Sequence, residues 1–105
     1  MAEMMTATTP RHTFKLPIDT AECEKIEVSY KQGYRKLVIE KNGDSIPEEM
    51  TLVGNDVIIK LTQEETLRFA AEEVTAQIRI LTGNTVYSSK RFPINVRKSQ
   101  SEKIL

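Results

Sequence analysis

Residues 56–96 read DVIIKLTQEETLRFAAEEVTAQIRILTGNTVYSSKRFPINV. The order of patterns in this stretch decides the fold. Val57-Ile58-Ile59 is an apolar run of strand length. Thr62-Gln63-Glu64-Glu65 follows as a capping box, with Thr62 as N-cap and Glu65 at the third helical position. Val74, Ala76, Ile78 and Ile80 then alternate with Thr75, Gln77 and Arg79, the period-2 signature of a strand with one buried face. Gly83-Asn84 places glycine first in a two-residue loop, which tight hairpins favour. The closing strand, Thr85 to Val96, carries Val86, Phe92, Ile94 and Val96 in one phase. Pro93 inside it predicts a sheet edge or a bulge, because proline cannot donate to a ladder. Ser88 and Lys90 share the phase of Val86, which suggests a change of face in mid-strand. The short helix is expected to run from Thr62 through Phe69, with Leu67 first and Phe69 second as the plug at the end of the core.

Similar signals extend towards the N-terminus. Arg11 to Leu16 reads as a first strand, stopped by Pro17, and Ile18 to Ala21 as a connector. Ile26, Val28 and Tyr30 alternate with Glu27 and Ser29 between Lys25 and Lys31. Gln32-Gly33 is the expected turn into a partner strand, Tyr34 to Lys41, whose Leu37-Val38-Ile39 forms a buried run. Asn42-Gly43 is a further turn, and Asp44 to Glu49, interrupted by Pro47, reads as loop or edge. Met50–Val53 and Asp56–Leu61 flank Gly54-Asn55 as another hairpin. Counting these segments gives about seven short strands, the pattern of an all-β, immunoglobulin-like antiparallel sandwich. The expected boundaries are a disordered N-terminal arm over residues 1–10, the sandwich over 11–97, and a polar C-terminal tail over 98–105.

Composition narrows the class. A chain of 105 residues is one domain. Three Phe, three Tyr and no Trp leave Val, Ile and Leu to fill the core, which favours strands. The single Cys23 excludes an intrachain disulfide and points to a cytosolic origin. No apolar run reaches the ~20 residues of a membrane-spanning helix. MAEMMTATTP lacks a basic start and an apolar core, so no signal peptide is expected. Formal net charge is zero, but residues 44–73 hold two basic and eight acidic side chains, and residues 74–105 six basic and one acidic. Two readings remain open: strands of opposite charge pair across the sandwich, or one acidic and one basic surface join copies head to tail.

The residues that could carry chemistry are sparse. A nucleophilic triad needs a base beside Ser or Cys, and the one histidine, His12, reads as an exposed strand residue next to the arm. Cys23 lies between Glu22 and Glu24, whose charge disfavours a thiolate. One His and one Cys do not make a zinc site. Asp44, Glu48 and Glu49 lack the spacing of a calcium loop. Glu64-Glu65 is explained by helix capping and Glu72-Glu73 by a solvated loop. No phosphate-binding glycine motif occurs. No catalytic, cofactor-binding or metal-ligating residue is therefore assigned. Lys90, Arg91, Arg97 and Lys98 form a basic stripe beside Tyr87, and these five are the candidate interaction edge. Such a stripe with interleaved aromatics also suits single-stranded nucleic acid, but Phe92 falls in the inward phase, and a solvated edge that resists aggregation explains the same charges.

LTQEETLRF, VTAQIRILTGNTVYSS and INV before a polar tail, together with the opening FKLPID at Phe14 to Asp19, carry a resemblance. The chain resembles small immunoglobulin-like structural proteins encoded in the tail and morphogenesis clusters of phages and prophages of low-GC Gram-positive bacteria. The likeness covers residues 13–105; residues 1–11 and the basic start of the tail at Arg97 depart from it. It implies a non-enzymatic virion or assembly component, associated with the tail or baseplate and assembled in the bacterial cytoplasm. It further implies contacts with other phage structural proteins. Pro93 and the chain ends point to contact with copies of itself, by strand addition at Thr85–Val96 or at the first strand. The residues themselves argue against cofactor, membrane and nucleic acid. The competing class is a bacterial binding module for carbohydrate or a cell-surface ligand. For that class Tyr34 and Tyr87 are the free aromatic candidates.

Overall fold

Strand alternation sorts the side chains of this protein onto two facing sheets. The structure, a computed structural model, describes residues 2–105. Among the described residues nine strands occur in chain order: β1 (Ala2–Met5), β2 (Arg11–Lys15), β3 (Lys25–Gln32), β4 (Arg35–Asn42), β5 (Met50–Val53), β6 (Asp56–Lys60), β7 (Glu73–Thr82), β8 (Thr85–Ser88) and β9 (Phe92–Arg97). A one-turn helix, α1 (Gln63–Thr66), precedes β7. The larger sheet runs β1-β9-β7-β3-β4, with β8 also on β7, and the smaller runs β2-β6-β5. The connections β2–β3, β4–β5 and β6–β7 each cross between the sheets. Three strands thus face a sheet of six, a β-sandwich with two strands more than the seven expected and with one parallel pair, β1 on β9, in place of a wholly antiparallel pattern.

The core is the set of inward positions read from the sequence. Ile26, Val28 and Tyr30 of β3, Val74, Ala76, Ile78 and Ile80 of β7, and Val57 and Ile59 of β6 are buried together. Leu37 and Ile39 are buried, but Val38 between them is exposed, so β4 has a solvated face. Ile58 likewise lies half-buried on the outer side of β6. Among the described residues Lys41 is the one buried lysine, and its Nζ donates to the Cys23 carbonyl at 2.6 Å.

Two turns shift by one residue from expectation. The loops are Gly33-Tyr34 and Gly43-Asp44, bounded by Gln32–Arg35 and Asn42–Ser45. Gly33 has φ +58° and Gly43 φ +60°, and the residue after each has negative φ. Positive φ at the first loop position alone is the II′ pattern, which puts glycine first and matches the twist of the strands. The same order holds at Gly54-Asn55 and Gly83-Asn84, which the sequence placed correctly.

The helix is shorter than expected. It ends at Thr66, with Leu67 as its C-cap. Both halves of the capping box form: the Glu65 N–H donates to Thr62 Oγ1 at 3.1 Å, and the Thr62 N–H to Glu65 Oε1 at 2.8 Å. Phe69 closes the core at 1% exposure, while Leu67 is only half-buried. The chain after the helix is clamped by Gln32, whose side-chain amide donates to the Ala70 carbonyl at 2.9 Å and accepts from its N–H at 2.8 Å. This two-way bond imitates a ladder pair and fixes the crossover.

The expected disordered arm is a strand. β1 lies parallel on β9, Ala2 opposite Ile94 and Met5 opposite Arg97. Met4 is 2% exposed, and Thr6 is fully buried. Thr6 also takes the Ser99 N–H on its hydroxyl at 3.0 Å, and its carbonyl accepts from the Ser99 hydroxyl. The tail over 98–105 has no strand, but Gln63 bonds the Leu105 N–H and carbonyl at 2.8 and 3.1 Å.

Candidate functional site

The closing strand is two strands, which divides the candidate edge. β8 pairs with β7 from Arg79 to Thr82, and β9 pairs with β7 from Glu73 to Ala76. Between them Ser89, Lys90 and Arg91 stand opposite only Gln77 and Ile78, so the closing segment carries one extra residue, a bulge. Ser89 holds it. The Ile78 carbonyl accepts the Ser89 N–H at 2.9 Å, and the Ile78 N–H donates to the Ser89 hydroxyl at 3.1 Å. One extra residue reverses the phase. Val86, expected inward, lies opposite Leu81 on the outer face and is 54% exposed. Tyr87 lies opposite Ile80 and takes the inward phase instead.

The five candidate residues therefore do not form one stripe. Tyr87, Lys90 and Arg91 sit around the bulge, all exposed. Arg91 lines a concavity of about 620 Å³ on the outer face of the larger sheet, with Glu27, Lys31, Lys36 and Arg79. Arg97 and Lys98 are at the far end of β9 and are already paired. The Arg97 guanidinium meets Glu3 at 3.0 Å, and Lys98 Nζ meets Glu102 at 3.4 Å. β1 also covers the edge of β9 along Ile94 to Arg97. What stays open on this side is β8 and the whole outer edge of β2, which pairs only with β6.

A cleft of about 590 Å³ lies between β2 and the part of the larger sheet formed by β7 and β9. Arg11 to Lys15 of β2 form one wall; Ala76 and Ile78 of β7 and Phe92 to Ile94 of β9 form the floor and far wall. Phe14 and Phe92 meet there, ring centroids 6.0 Å apart at 60°. Phe92 keeps its inward phase yet is 42% exposed, because it stands at the cleft mouth. The residues that line this cleft include Arg11 and Lys15 and no carboxylate. The sequence pointed to Phe14 and Phe92 as core. Neither this cleft nor Arg11 and His12 as its lining was legible in it.

His12 is a correction. Expected to be exposed, it is half-buried, with Nδ1 2.8 Å from the Tyr30 hydroxyl and rings 5.5 Å apart. Its Nε2 is buried without a hydrogen-bond partner. Burial holds the His12 pKa below its ordinary value. The Tyr30 hydroxyl is pushed up by burial and by the Glu65 carboxylate. Burial and the neighbouring Glu49 raise Glu65, against the Thr62 N–H bond that favours its charge. For His12 the sign is clear: the folded chain keeps the ring neutral while the unfolded chain takes up a proton near pH 6.5. Its contribution is complete above that pH and is lost as pH falls through the lower folded value. Melting temperature is thus expected to fall more steeply from pH 7 to 5 in the wild type than in His12→Gln. Parallel curves would refute this.

Among the described residues no group of three or more His, Cys, Asp or Glu is placed to hold a metal ion. Cys23 is buried, and burial raises its thiol pKa, so the thiolate is disfavoured at neutral pH. Among the described residues no helix is long and apolar enough to cross a membrane. Fold and surface together define a β-sandwich with an uncovered strand edge beside an apolar cleft. No protein-family model matches this chain, and no curated protein matches it.

Proposed function

We propose that this protein is a phage or prophage structural or assembly component, associated with the tail or baseplate, that works through protein–protein contacts. The observation that carries the reading is the uncovered edge of β2 beside an apolar cleft, in a chain whose residues 13–105 resemble such proteins. Exposed strand edges are usually blunted or covered, because they template pairing with another chain. In an assembly component that liability becomes the means of docking. On this reading the chain is placed in the bacterial cytoplasm during particle assembly, and it acts by contact rather than catalysis.

The carbohydrate-binding alternative has less support. Sugar stacking needs neighbouring exposed aromatics. Tyr34 is at the β3–β4 loop, with the Arg35 guanidinium 5.2 Å over its ring, whereas Tyr87 lies opposite Ile80. The strand register separates them by on the order of 20 Å. The test is to induce the source prophage, purify particles and assembly intermediates, and look for this chain by mass spectrometry. Fixed stoichiometry in either fraction is expected, with tail or portal genes beside its own. Absence from both fractions, or a metabolic operon around the gene, would sink the reading.

A further inference from the structure

The backbone of β2 alternates its hydrogen-bonding groups. The Leu61 N–H donates to the Pro10 carbonyl at 3.0 Å and the Leu16 N–H to the Asn55 carbonyl at 2.8 Å. Residues 10, 12, 14 and 16 thus direct their peptide groups at the β6 side. Those of Arg11, Thr13 and Lys15 face the other way, onto an edge that no strand covers. This edge is a wall of the apolar cleft. A strand laid along it would become the fourth of the smaller sheet, and every second side chain would enter the cleft against Phe14, Ile78 and Phe92.

Two further observations concern the cleft and its occupant. His12 lines the cleft, and its buried Nε2 has no partner, a state that buried polar atoms rarely keep. That atom has no surface open to the cleft, so it marks the wall and not the occupant. The surroundings are also basic: Arg11 and Lys15 are on β2, and Lys90 follows the cleft-lining Ser89. Lys15 is engaged by Asp56 at 3.6 Å, while Arg11 and Lys90 have no ion-pair partner among the described residues.

We propose that the open edge of β2 and its cleft bind an extended segment of a partner protein, apolar at alternate positions and carrying carboxylates at its ends. This rests on the contact-forming role proposed above, and of the two edges expected from the sequence, the closing strand and the first strand, it takes the first, β2, with a partner segment in place of a second copy. A second copy of the chain is a poorer fit. Asp44, Glu48 and Glu49 lead into β5, an open edge of the same sheet, but Met50 there is buried in its own core and cannot fill a neighbour's cleft.

The probe is a capped seven-residue peptide with Glu at both ends and alternating Val and Thr between them. It is titrated into the full chain while amide exchange is followed by NMR. Binding with new protection at the Arg11, Thr13 and Lys15 amides is expected. Arg11→Glu, an exposed change, should weaken binding about tenfold, and a peptide with Lys for Glu should bind at least tenfold more weakly. Thr13→Pro removes a donor from the open edge and should abolish binding; its melting curve checks that it folds. No binding at millimolar peptide, or binding without protection at those three amides, overturns the proposal. Protection of the same amides without peptide, rising with protein concentration, assigns the edge to a second copy and overturns the partner. Peptide binding by a chain absent from particles would sink the phage role alone; a chain found in particles that ignores the peptide would sink this one alone.

Discussion

A chain shortened to begin at Ala7 should lose cooperative folding at physiological temperature. The truncation removes β1, and with it the buried Met4 and the buried Thr6 that brackets Ser99. Truncating one buried Met costs about 2–5 kcal/mol, and each lost net hydrogen bond about 1 kcal/mol. The strand also covers β9 from Ile94 to Arg97, and uncovering that edge adds a site for aggregation. The summed loss, on the order of 5 kcal/mol or more, is comparable to the whole stability of a small domain. Thermal unfolding by circular dichroism is the measurement. A melting temperature within about 3 °C of the full chain would show β1 to be dispensable. Met4→Ala alone should reproduce a large part of the loss while keeping the edge covered.

Phe69→Ala is the second large effect. Phe69 follows α1 and closes the end of the core at 1% exposure, and it is among the largest fully buried side chains. Removing a buried Phe side chain costs about 3–5 kcal/mol, because the cavity collapses only in part. For a domain of this size that lowers the melting temperature by roughly 15 °C or more. Leu67→Ala, two residues away and half-buried, should cost under about 1.5 kcal/mol. The pair separates two readings of this turn. If the Leu67 change is the worse of the two, the packing described for this crossover is wrong.

The Phe69 result bears on how the turn was read. The capping box marked where α1 starts, since Thr62 and Glu65 act within one turn. Its end carried no such signal. Leu67 and Phe69 are both apolar, and only the facing sheets determine which one enters the core. Gln32 shows the same limit: beside a turn glycine it reads as a polar loop residue. It is buried because the Ala70 peptide, far along the chain, has no ladder partner and takes both of its side-chain bonds.

The candidate site was legible in part. Tyr87, Lys90 and Arg91 do surround an open region, but Arg97 and Lys98 are held by Glu3 and Glu102. Counting in twos along Thr85 to Val96 put Val86 inward, and the bulge at Ser89 to Arg91 reversed that phase. Pro93 and the same-phase polar residues hinted at an irregularity without locating it. His12 and Arg11 had no local signal at all, since their importance comes from an absent neighbour along β2.

The amino-acid sequence by itself determined where the inner strands lie, which of their side chains point inward, and that tight glycine loops join them. These are local properties: a period of two and a residue that tolerates positive φ act over a few positions. Only the tertiary structure decided which edges are covered. A four-residue N-terminal segment with one deeply buried methionine does not announce itself as a strand, and its parallel pairing with β9 joins residues more than ninety apart. By covering β9 and leaving β2 bare, that pairing placed the open cleft where no local pattern could point, because an edge is defined by what does not pair with it.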